Sequence, residues 1–152
     1  MTMYKAIARR RSRAVFEALS RNDMDAVMRD VAEDVHHVFP GENAIGGERR
    51  GRDALQRWFD REQQLFGDVE FTVERISVKG PPWDMWVAIA WTNRGRTADG
   101  EPYANRGSHW IRLHRGKGTE ILAYLDTERV TAACERMAAA GIEEAAAAPI
   151  TS

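Results

Sequence analysis

Residues 3–21 carry Ile7, Ala8, Val15, Ala18 and Leu19 along one side, a helical period that predicts a first helix. Asn22 is placed to cap a short second helix, in which Met24, Val27, Met28 and Val31 recur every three or four positions. Residues 34–39 are β-branched and aromatic and stop at Pro40-Gly41, a short strand. Gly46-Gly47 and Gly51 mark a loop. A third helix follows, with Leu55, Trp58, Phe59, Leu65 and Phe66 as a broad apolar stripe and charge on the far side.

After Gly67-Asp68 the period changes to two. Val69, Phe71 and Val73 alternate with polar residues, and Ile76 and Val78 continue one residue out of phase, which predicts a β-bulge near Glu74-Arg75. Residues 83–93 are apolar on both faces and predict a central, covered strand. Asp99-Gly100 turns the chain into a strand over 103–114, and Gly116-Lys117-Gly118 joins it to another over 120–126. Residues 127–140 form a last helix closed by Gly141. The arrangement is one domain over 1–141, with 142–152 as a loosely docked, alanine-rich tail. Helices first and antiparallel strands afterwards give an α+β fold: a curved, mostly antiparallel sheet packed against three N-terminal helices, with a C-terminal helix. A bent sheet closed by helices makes a cone around an apolar pocket.

Composition narrows the partners. The chain has 152 residues, 43% hydrophobic and 30% charged, enough for one real core. Its 22 Lys and Arg against 23 Asp and Glu leave a net charge of −1, which argues against nucleic acid as a main partner. The basic run Arg9-Arg10-Arg11 reads as a solvated helix face. No apolar run approaches a membrane span, and the start has no secretory pattern, so no membrane partner and the cytoplasm are expected. The lone Cys134 excludes an internal disulfide and reads as a small packed helical residue. His36 and His37 are strand neighbours and point to opposite faces, as do His109 and His114, so no metal site is expected.

Three stretches carry a family resemblance: 22–27 at the first helix–helix turn, 34–41 with Gly47 and 51–55, and 118–126. With them the chain resembles the nuclear transport factor 2-like superfamily, the cone-shaped fold of ketosteroid isomerases, scytalone dehydratases and SnoaL-like polyketide cyclases. The isomerase parts are missing. The position of that group's base, before the strand-ending proline, holds Phe39, its oxyanion tyrosine is matched by Val15 or Phe16, and its third acid falls within Ser108-His109-Trp110. The epoxide-hydrolase Arg-x-Asp pair is reduced to Arg106-Gly107-Ser108. In the cyclase group an acid ends the last strand as base, with a histidine on the strand before. The resemblance therefore implies catalytic roles for Asp126 and His109.

Each of these has a plainer role as well. Asp126 precedes Thr127-Glu128 and fits a helix cap, and strand alternation points it outward if His109 and Leu125 point in. His109 shares parity with Ile111 and Leu113 and fits a buried core histidine. The expected ligand-binding residues are Phe16, His37, Phe39, Trp58, Trp91, Tyr103 and Leu125, around a small apolar or aromatic ligand. The expected activity is cofactor-independent acid–base chemistry on an apolar carbonyl compound, of cyclase or isomerase type. The alternative is a non-catalytic ligand-binding or dimerisation module using the same cavity. The face bearing Trp86, Trp110, Leu122 and Tyr124, mixed with Arg106 and Arg112, predicts a two-fold homodimer.

Overall fold

The computed structural model describes residues 2–152. Four helices, α1 (Met3–Ser20), α2 (Met24–Met28), α3 (Arg52–Phe66) and α4 (Thr127–Ala139), accompany six strands. These are β1 (Val31–Phe39), β2 (Gly47–Arg50), β3 (Asp68–Lys79), β4 (Asp84–Arg96), β5 (Pro102–His114) and β6 (Lys117–Leu125). They form one curved, unclosed sheet in the order β2-β1-β6-β5-β4-β3, with only β1–β6 parallel. The fold is the α+β cone of the NTF2-like type. None of the described helices is long and apolar enough to cross a membrane.

Two apolar clusters hold it. In one, the α3 stripe of Leu55, Trp58, Phe59, Leu65 and Phe66 packs with Val35 of β1 and with Val130, Cys134 and Met137 of α4. In the other, Ala8 and Phe16 of α1 cover Val87, Ile89 and Trp91 of β4 and Val78 of β3. The concave sheet face between the clusters is only partly filled, and the cavity lies there. The expected bulge is present: the β3–β4 register shifts between Val73 and Arg75.

Four local features depart from the sequence reading. The cap of α2 is Asp23, whose carboxylate accepts from Ala26 N at 3.2 Å. Asn22 instead takes a left-handed φ of 58° and donates to Gly67 O at 2.8 Å, tying the α1–α2 turn to the end of α3. The expected glycine loop holds β2, an edge strand pairing His36 with Arg50, His37 with Arg49 and Val38 with Glu48. Its polar sequence hid it, as edge strands bury little.

Strand β4 is covered on one face only. Met85, Val87, Ile89 and Trp91 are buried, whereas Trp86, Ala88 and Ala90 are half-buried on the convex side. The C-terminal tail is docked, not loose. Ala145, in a short 3-10 turn (Glu143–Ala146), is buried, Arg61 donates to Ala148 O at 2.8 Å, and Arg49 donates to Ile150 O at 2.9 Å. These guanidinium–carbonyl bonds carry no apolar periodicity, so nothing in the alanine run announces them.

Candidate active site

A cavity of about 370 Å³ opens between α1, α2 and α3 on one side and the concave sheet on the other. Its size falls at the lower end of ligand pockets, roughly 300–1,000 Å³. Phe16, His37, Phe39, Trp58, Trp91, Tyr103, His109 and Leu125 all line it. They converge because α1 and α3 turn their apolar stripes inward, while strand alternation places His109, Ile111 and Leu113 on the concave face. Arg11, Arg29 and Asp30 are the charged residues toward its α1–α2 side.

His109 stands on β5 with its ring against Phe16 and Trp91, at centroid distances of 5.5 and 5.7 Å. The Trp91 indole Nε1 donates to His109 Nδ1 at 2.8 Å. Burial pushes the imidazole down to about 4, so it is neutral at pH 7. An indole N–H only donates, so Nδ1 is the acceptor and the ring proton sits on Nε2. No described protein group bonds to Nε2, which leaves an N–H donor for a ligand.

His37 repeats the arrangement on β1. Arg49 of β2 donates to its Nδ1, and the imidazole packs against Trp58 with ring centroids 4.5 Å apart. Burial first, and the Arg49 charge second, hold His37 well below its ordinary value. Trp58 is itself anchored by its indole N–H, which donates to Ile45 O at 2.7 Å.

The acid on the α3 side of this cavity is Glu62, which no sequence motif singles out. It lies on the α3 stripe, four residues from both Trp58 and Phe66, and lines the cavity with them. The charge of α3 is therefore not confined to its far side. Among the described residues its carboxyl makes no hydrogen bond or ion pair, and burial pushes it up to about 7. A carboxyl near 7 is poised to take and return protons at neutral pH. A charged residue interrupting an apolar helical stripe is the signal that could have found it.

Two further polar groups share the cavity. Asn93, two residues beyond Trp91 on the same face of β4, has a buried Oδ1 without a partner. The Tyr103 hydroxyl accepts from Asn105 Nδ2 at 2.9 Å, and burial pushes it up to about 12, so it stays protonated.

Asp126 lies elsewhere. It is absent from the cavity lining and caps α4, its Oδ1 accepting from Glu128 N at 3.1 Å and Arg129 N at 3.4 Å. Its Oδ2 meets Arg129 Nε at 3.2 Å, and nearly half of the side chain is exposed. The structure thus brings His109 into the cavity and leaves Asp126 outside. Leu125 points in, so the next residue of an extended chain points out.

The cone with its partly filled concave face is the NTF2-like fold. Residues 12–121 match the family model of the SnoaL-like domain, and the chain belongs to that family. Among solved structures it is similar to an NTF2-like protein of unknown function from Burkholderia pseudomallei. That pair has a TM-score of 0.70 and 18% identity over 84% of this chain and 94% of the other. An NTF2-like protein from Burkholderia xenovorans gives a TM-score of 0.63 and 23% identity, over 82% and 92% of the two chains. A Xanthomonas campestris protein described as a "putative polyketide cyclase" gives 0.62 and 20%, over 82% and 94%. At these identities the likeness is one of fold. No curated protein matches the chain.

Proposed function

We propose that this protein is a cofactor-independent enzyme that enolises an apolar aromatic carbonyl compound, with Glu62 as base and His109 as the group that polarises the carbonyl. One observation carries the reading: Glu62 is a carboxyl without a protein partner in an apolar cavity that it shares with a neutral, donor-bearing imidazole. Ionised Glu62 takes a proton from the carbon next to the carbonyl. The C–H electron pair moves into the carbon–carbon bond, and the carbonyl electrons move onto oxygen, to which the His109 Nε2–H donates a hydrogen bond. Where the substrate is β,γ-unsaturated, the resulting dienolate regains the proton from Glu62 at its γ-carbon, an isomerisation. Where the substrate has a second carbonyl, the enolate carbon attacks that carbonyl, whose electron pair moves onto its oxygen, and the alkoxide takes the proton back from Glu62, a cyclisation. Phe39 and the absent oxyanion tyrosine speak against ketosteroid isomerisation by the related enzymes' arrangement. The exposed Trp110 and Tyr124 on the convex sheet face support a homodimer as its assembled form.

The test is α-proton exchange in D2O, followed by NMR with a panel of bicyclic aromatic ketones and β-keto esters. Glu62→Gln keeps the shape and should lower the rate by roughly 10²–10⁴-fold while leaving ligand affinity near the parent value. Tight binding without exchange above background in the parent would make the protein a ligand-binding module instead. Exchange that is indifferent to Glu62→Gln would remove Glu62 from the mechanism.

A further inference from the structure

Arg49 is a buried cation that the acid–base chemistry above does not use. It sits on the edge strand β2, directly across from His37 in the β1–β2 ladder, and is 1% exposed. Its Nε donates to Ile150 O and its Nη2 to Gly46 O, each at 2.9 Å, and its Nη1 donates to His37 Nδ1. The guanidinium also lies 5.5 Å from the Trp58 ring centroid. All of these partners are neutral. Among the described residues no carboxylate forms an ion pair with it. A buried charge without a counter-charge is costly, and such a charge is retained where something else supplies the opposite sign.

His37 carries that charge to the cavity. A guanidinium has donors only, so His37 Nδ1 accepts and the neutral ring bears its proton on Nε2. That nitrogen has no partner among the described protein groups, and the ring lines the cavity. A cation donating to one imidazole nitrogen draws electron density from the ring and makes the opposite N–H a stronger donor. The best partner for such a donor is an anionic oxygen, whose charge also offsets that of Arg49.

We propose that Arg49, acting through His37, forms an anion-binding element of the cavity, so that the ligand is an aromatic compound bearing a carboxylate. This rests on the cavity being the ligand site, as in the reading above, and is independent of Glu62 acting as a base. Arg49 is a positioning residue and His37 the group that touches the ligand. The charged groups around them work in known directions. Arg61 adds positive charge near Arg49 and Glu48 adds negative charge, His36 adds positive charge beside His37, and Arg11, Arg29 and Asp30 face the same cavity. His109 is neutral, and Glu62 opposes a bound anion once it ionises. Carboxylate binding in the parent protein is therefore strongest below pH 7 and weakens as pH rises through that value. With Glu62→Gln the weakening disappears.

The experiment compares 2-naphthoate with 2-naphthamide, a neutral compound of nearly the same shape, by tryptophan-fluorescence titration. In the Glu62→Gln protein at pH 8 the carboxylate should bind about tenfold or more tighter than the amide, as expected for a hydrogen bond to a charged group. Arg49→Met should bring the two affinities together, and Arg49→Lys should restore part of the preference. The ratio of affinities is insensitive to a general loss of stability. If Arg49→Met does not fold, Arg11→Met combined with Arg29→Met in the Glu62→Gln protein should leave the preference unchanged, and its loss there would overturn the proposal. Equal affinity for the two naphthyl compounds in the folded Glu62→Gln protein would overturn the proposal. So would a preference that a folded Arg49→Met variant keeps. Loss of exchange activity in Glu62→Gln with no carboxylate preference would sink this proposal alone, whereas a preference without exchange would sink only the base.

Discussion

The Trp91 indole nitrogen lies 2.8 Å from His109 Nδ1, and that single contact sets which nitrogen of the imidazole is left for a ligand. Because indole only donates, His109 holds its proton on Nε2 whenever the ring is neutral. Trp91→Phe removes the donor and keeps an aromatic ring. The nitrogen-15 shifts of His109 should then pass from a single Nε2–H tautomer to a mixture. Stability should fall by about 1 kcal/mol for the lost hydrogen bond, plus a cavity term for the smaller ring. An unchanged nitrogen-15 spectrum would show that Trp91 does not control the tautomer.

The half-buried, cavity-facing Glu62 and His109 give the protein opposing pH dependences. His109 titrates near 4 in the folded state against 6.5 free, so its share of stability is complete above 6.5 and is lost as pH falls toward 4. Glu62 titrates near 7 against 4.5 free, so its share is complete below 4.5 and is lost as pH rises toward 7. Between 4.5 and 6.5 the two slopes oppose one another, and lowered His37 tilts the balance toward higher pH. In Glu62→Gln only the histidine slopes remain. Urea unfolding at pH 5, 6 and 8 should therefore show the gain of this variant over the parent growing with pH, by roughly 3 kcal/mol in all. A pH-independent difference would mean that Glu62 is solvated.

Asp126 is expected to matter for folding and not for turnover. Asp126→Ala should cost about 1 kcal/mol through loss of the α4 cap, and Asp126→Asn should cost little, because asparagine caps nearly as well. Melting temperature and exchange rate measured on both variants separate the roles. A large fall in rate with Asp126→Asn, at unchanged stability, would return the base to the end of β6.

The convex sheet face exposes Trp110 by 44% and Tyr124 by 56%, with half-buried Trp86 and Leu122 beside them. Trp110 lies between Ala88 and Leu122 in the ladder, and Tyr124 faces Ser108, so the four residues spread over three adjacent strands. An exposed aromatic face of this kind is expected to bury itself against a second copy. Sedimentation at micromolar concentration should give a dimer for the parent and a monomer for Trp110→Lys combined with Tyr124→Lys. A parent that sediments as a monomer would rule the dimer out.

Strand alternation and helical stripes make the frame legible in the sequence. The phase slip from Val73 to Ile76 marks the bulge, and the spacing of Leu55, Trp58, Phe59 and Phe66 marks the buried face of α3. The parity of His109 with Ile111 and Leu113 aims it at the concave side, where it lines the cavity. The polar edge strand β2 is not legible, because its one buried side chain, Arg49, breaks the apolar pattern that identifies strands. The anchoring of the alanine-rich tail is equally silent, since it depends on backbone carbonyls meeting Arg49 and Arg61 from distant parts of the chain.

By itself, then, the sequence determined which faces are buried, because periodicity is a local property set by the rise and turn of each element. The tertiary structure alone decided what each polar group meets there. Whether Glu62 faces solvent or the apolar cavity, whether Asp126 turns inward or outward at the end of β6, and whether His37 has a cation behind it are set by how α3, β6 and β2 are brought together in the cone. The behaviour of a charge follows from its surroundings, through desolvation and nearby charge, and those surroundings exist only once the cone has closed.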